Sequence, residues 1–168
     1  MSDKKVTAAD VECAVAIYFN PRVNLVVPNV SWGLGLRYEA DILVCSKSGY
    51  ITEVEIKVSR ADLKRDASKK HQHSWHHVNR LFFAMPKAME ADADLVPEGA
   101  GILLVDGFFC SVSRRAKSRK AKPMPPDAIT KLAMLGNLRV WPLKRALLTR
   151  ESYAEAKQDI TGLLAVTP

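Results

Sequence analysis

The chain has 168 residues, 48% of them hydrophobic and 26% charged, with 25 lysines and arginines against 18 acids and a formal charge of +7. Ample apolar surface excludes general disorder, and 8 glycines, 9 prolines and 3 cysteines exclude collagen-like, low-complexity and disulfide-scaffold classes. A chain of this length buries roughly 70% of its extended surface, enough for one core and one domain over residues 1–168. No apolar run nears the roughly 20 residues that span a bilayer. The start, MSDKKVTAADVECAV, lacks the apolar core of a secretory leader, and Cys13, Cys45 and Cys110 are widely spaced with no CxxC pair. The expectation is a soluble cytoplasmic protein with free thiols.

Thr7 with Asp10 three residues on predicts a helix N-terminus, and the helix runs to about Phe19, where Asn20-Pro21 ends it. Residues 24–27 predict a strand closed by Pro28-Asn29. Residues 37–45 and 50–58 predict two more, joined by a hairpin turn at Lys47-Ser48-Gly49. Ser59 with Asp62 resembles a capping box opening a helix over 59–77. A strand over 78–85, a short helix near 87–93 and a hairpin across Asp106-Gly107 follow. Residues 113–126 predict an open basic loop. Helices are expected at 127–135 and 150–164, a C-terminal helical extension over 127–168. The order predicts an α/β domain with a mixed central sheet flanked by helices.

Positive charge is clustered. Residues 57–80 hold seven Lys or Arg against two acids, and SRRAKSRKAK, residues 113–122, holds six basic residues and no acid. One such run reads as a solvated face; two make polyanion binding the leading expectation. Lys69, Lys70 and His71, with Arg114, Arg115, Lys117, Arg119 and Lys120, are the candidate phosphate contacts, which carry no base information themselves. Asp62 and Asp66 are read as helix-start charges favoured by the helix dipole. Four histidines fall within residues 71–77, but no cysteine is near enough to complete a four-ligand zinc site. Trp32, Trp141, Phe82 and Phe83 are read as core before base-stacking groups.

The chemistry concentrates in RYEADILVCSKSGYITEVEIKVSR, residues 37–60. Strict alternation puts Glu53, Glu55 and Lys57 on one strand face and Val54, Ile56 and Val58 on the other. The hairpin lays the preceding strand alongside, so Asp41 lies next to Glu55. Two carboxylates with an ammonium nearby form a hard-oxygen site suited to Mg2+. Such a metal polarises a phosphodiester oxygen and acidifies an attacking water, which Lys57 would orient. Glu39 and Glu53 also lie on the site's face and read most simply as solvated.

Asp41, a turn, then Glu55-Ile56-Lys57 in the next strand resembles the core motif of the PD-(D/E)XK nuclease superfamily. VEIKVSRADLKRD and PEGAGILLVDG are similar to small phage or bacterial members, including MmcB-like DNA-repair proteins. The resemblance covers about residues 8–112. It implies a restriction-endonuclease-like αβββαβ core and a DNA-hydrolysing enzyme in repair, recombination or phage DNA processing. It implies Mg2+ or Mn2+ as cofactor, held by Asp41, Glu55, the Ile56 carbonyl and Glu12 of the first helix. The motif's proline is absent here, since Ala40 precedes Asp41. Implied partners are DNA, a second copy of the chain and other repair or replication proteins, with no membrane. The rival expectations are a DNA-binding module without turnover and an RNA-directed nuclease.

Overall fold

A computed structural model describes the backbone of residues 6–31, 33–67 and 75–164, and their side chains up to residue 150 apart from 66 and 67. The chain divides into two units, Met1–Ala133 and Met134–Pro168. The first carries the sheet. Its opening helix, α1 (Ala8–Phe19), is capped as the sequence predicts: Asp10 N donates to the Thr7 hydroxyl, and Thr7 N donates to the Asp10 carboxylate at 2.8 Å.

Six strands follow: β1 (Leu25–Val30), β2 (Ala40–Cys45), β3 (Ile51–Ile56), β4 (Val78–Pro86), β5 (Gly101–Asp106) and β6 (Phe109–Arg114). They lie in sequence order in one mixed sheet. β1–β2–β3 pair antiparallel, β3–β4–β5 parallel, and β5–β6 antiparallel. The two parallel steps need crossovers, which α2 (Arg60–Ala67) and a 3-10 helix (Lys87–Leu95) supply. β1 runs on through Pro28 instead of stopping there. As an edge strand it can spare the amide that proline lacks.

Side-chain alternation sorts the core onto two faces. On one, Val11, Ala14 and Val15 of α1 pack on Ile42, Val44, Val54, Phe82, Ala84, Leu103 and Val105. On the other, Leu63 of α2 and Val96 cover Leu81, Phe83, Met85, Ile102 and Leu104. Fully burying one such side chain contributes about 1.5–3 kcal/mol. The sheet is therefore apolar on both faces, except where β3 turns carboxylates toward the second.

The segment predicted as an open basic loop is laced to the sheet. Its amides donate along the strand starts: Lys117 N to Gly99 O at 2.9 Å, Arg119 N to Asn79 O at 2.7 Å and Met124 N to Gly49 O at 2.9 Å. The Asn79 side-chain amide donates to the Arg119 carbonyl at 2.9 Å. The reason lies in partners distant in sequence, which composition does not reveal. This strap passes so close to β5 that a Cβ on Gly101 would stand 2.3 Å from the Phe82 ring and 2.7 Å from Ala116 N.

The predicted helix over 59–77 is shorter. Its cap holds, with Asp62 N donating to Ser59 Oγ at 3.2 Å, but α2 ends at Ala67 and Trp75–His77 are not helical. Lys69, Lys70, His71 and His73 lie outside the described residues, as does Trp32. At the C-terminus one helix, α3 (Pro126–Leu164), replaces the two expected, running through Gly136 and Pro142. Leu, Ala, Arg and Lys favour helix on both sides of the proline, so the turn signals there do not prevail.

Gly101→Ala should destabilise the protein by about 1–3 kcal/mol, because both the Phe82 ring and the Ala116 backbone would have to move. Urea unfolding should show a lower midpoint at an unchanged slope.

Candidate active site

The site forms where β3 ends. Its register with β2 pairs Ile42 with Val54 and Leu43 with Glu53, so Asp41 stands across from Glu55 one step further along. Lys57 N donates to Ala84 O at 2.9 Å, so the intervening Ile56 amide points the other way, toward β2. There it donates to Asp41 Oδ2 at 2.7 Å. Amide and carbonyl of one strand residue point to the same side, which turns the Ile56 carbonyl toward Asp41's strand too.

Lys57 Nζ donates to Glu55 Oε2 at 3.1 Å, with the two side chains only 8% and 7% exposed. The ammonium also stands 6.0 Å from the centre of the Phe83 ring. Glu53, expected to be solvated, is 0% exposed. It points to the same covered face as Glu55, and the Tyr38 hydroxyl donates to its Oε2 at 2.8 Å. Glu39 is exposed, as expected.

Asp41, Glu53 and Glu55 bring three carboxylates to the face that carries Lys57. Burial first, then the charge of Glu53 and the hydrogen bond to it, raise the Tyr38 hydroxyl's pKa far above its ordinary value. A backbone hydrogen bond from Trp75 acts in the opposite sense and is outweighed. Tyr38 therefore remains a donor to Glu53 throughout the accessible pH range.

The donor set suits a hard cation. Among the described residues no three His, Cys, Asp or Glu side chains converge as a metal cage. Mg2+ does not need one, since it binds through one or two carboxylates and completes its shell with water and substrate oxygens. Asp41, Glu55 and the Ile56 carbonyl are the groups here that could supply that minimum.

A family model described as DNA repair protein MmcB-like matches residues 2–146. The chain belongs to the MmcB-like family. Its fold is also similar to that of the SPO1766 protein of unknown function from Silicibacter pomeroyi, at 23% identity and a TM-score of 0.62. That match covers 90% of this chain and 96% of the other. No curated protein matches. Membership of a DNA repair family makes DNA the expected partner, and among the described residues no helix is long and apolar enough to cross a membrane.

Other predicted site residues of this MmcB-like chain come from α1, the end of β6 and the strap. Glu12, on α1, lines a small pocket with Ala16 and Ile42, on the sheet face opposite Leu43 and Glu53. Arg114 is engaged by the fold: its guanidinium donates to the carbonyls of Ala100, Val96 and Pro97 at 2.9, 3.1 and 3.0 Å. Lys117 pairs with Glu98 at 2.8 Å, lowering that carboxyl's pKa, while Arg115, Arg119 and Lys120 are exposed. All belong to the strap along the strand starts.

Sequence reasoning missed Tyr38, because nothing in its neighbourhood signals a partner 15 positions away. It underrated Glu53, although the alternation that selects Glu55 selects Glu53 equally.

Lys57→Met should destabilise the fold by about 3 kcal/mol, since it leaves Glu55 buried without its cation. Tyr38→Phe should cost about 1–2 kcal/mol by removing a charge-assisted hydrogen bond. Both are read as urea midpoints at constant slope.

Proposed function

We propose that this protein is a metal-dependent nuclease of the PD-(D/E)XK type that hydrolyses phosphodiester bonds in DNA during repair or recombination. The observation that carries this reading is the buried Glu55–Lys57 pair beside Asp41. A solvated strand would leave these groups in water, where an ion pair gains little. Here they are held out of water at a strand end, at a cost that a structural role does not require. Membership of a DNA repair family supplies the substrate class.

Asp41 and Glu55 would hold the cation, with the Ile56 carbonyl. Mg2+ or Mn2+ bound there would polarise a phosphoryl oxygen and lower the pKa of an attacking water. The Ile56 amide fixes Asp41 through Oδ2, limiting its rotation. Lys57 is held by Glu55 and Phe83, so its ammonium is positioned before substrate arrives. Its roles would be to orient the water and to offset charge developing on the phosphate. Tyr38 would hold Glu53, keeping the neighbouring β3 carboxylate in place.

Purified protein incubated with labelled single-stranded, duplex and branched DNA should cleave at least one of them with Mg2+ or Mn2+ and none with a chelator. Asp41→Ala and Lys57→Ala should each lower the rate by about a hundredfold or more. Matched RNA should survive; its preferential cleavage would move the substrate assignment to RNA. Salt-sensitive binding without cleavage under any metal would replace the nuclease reading with that of a DNA-binding module.

A further inference from the structure

On the α1 face of the sheet, opposite the carboxylates, a cleft of about 640 Å³ opens between the end of α1, the starts of β3 and β4, and the strap. Arg80 of β4 and Arg115 of the strap both line it, with the hydroxyl residues Thr52, Ser113 and Tyr18 and the ring of Phe19. No acid lines the cleft, and neither arginine has an acidic partner among the described residues. Two guanidinium groups lining one cleft without a counter-ion make it attractive to an anion. Their planar forks suit a phosphate, which each can bind through two parallel N–H···O bonds.

The surroundings fit more than a bare anion. The volume lies within the range of small-molecule sites. Tyr18 is 43% exposed and meets the Phe19 ring edge-on, with centroids 5.0 Å apart, so a braced aromatic ring stands at the rim. Rings of this kind stack on nucleobases with little regard to sequence. A helix C-terminus would normally repel phosphate here, but the Asn24 side-chain amide donates to the Phe19 carbonyl at 2.7 Å and occupies one terminal acceptor. The backbone that carries Arg115 is anchored on both sides, by Arg114, whose guanidinium donates to three carbonyls, and by Lys117, whose amide is bonded to Gly99.

We propose that this cleft binds a nucleotide unit, its phosphate between Arg80 and Arg115 and its base against Tyr18, without a metal. It does not rest on the hydrolytic reading, since it shares no residue with the carboxylate site. The nucleotide can be the end of a DNA strand or a free mononucleotide.

The test uses the full chain in EDTA, so that metal-dependent cleavage plays no part. Fluorescein-labelled single-stranded oligonucleotides, with and without a 5′-phosphate, are titrated by anisotropy, with deoxyadenosine monophosphate as competitor. Arg80→Gln with Arg115→Gln should weaken binding at least tenfold and flatten the log affinity against log salt slope by about one per arginine. Tyr18→Leu should weaken binding about tenfold while leaving that slope unchanged. Displacement by millimolar mononucleotide identifies a free nucleotide as a ligand; displacement only by unlabelled strands identifies the DNA strand. Unchanged affinity and slope in the double arginine variant, with its melting temperature intact, would overturn the proposal, as would no binding of either probe.

Discussion

An ion pair inside the sheet, Lys57 with Glu55, sets the terms for the rest of the molecule. Charges that close to full burial are tolerated only where neighbouring groups answer them. The answer comes from several elements at once: Asp41 across the hairpin, the Phe83 ring on β4, and Glu53 with Tyr38 one step back along β3. Because these groups come from separate strands, their arrangement depends on the register of β2, β3 and β4 together. A slip of one residue would turn Glu53 and Glu55 into the α1 core and Val54 out of it.

The two sheet faces then divide the chemistry. The face under α1 is apolar until it reaches the strand starts, where Arg80 and Arg115 line a cleft free of acids. The other face is apolar until β3, where carboxylates gather with one lysine. Opposite charges are thus kept apart by the sheet itself and do not neutralise one another. A polyanionic partner would meet the first face with favourable Coulomb energy.

Much of the local structure was legible in the chain. Thr7 and Asp10 announced α1, Ser59 and Asp62 announced α2, and Asp106-Gly107 announced the last hairpin, because each rests on contacts within three or four residues. The pairing of Asp41 with Glu55 was also legible, since a tight hairpin fixes register by local geometry. The basic stretch was not. Its six cations pointed to polyanion binding on an open loop, yet its backbone is spent on Gly99, Asn79 and Gly49, and Arg114 on three carbonyls. Composition reports the charge of such a segment and says nothing of where its amides go.

By itself the sequence determined which residues could do chemistry and on which strand face they would lie, because alternation and turn types are local properties of the backbone. Tertiary structure decided which of them meet. It buried Glu53 and gave it Tyr38, and it laced the strap's backbone to the strand starts. Each of those outcomes depends on packing between segments far apart in the chain, where the cost of burying a charge and the gain of pairing it are settled together.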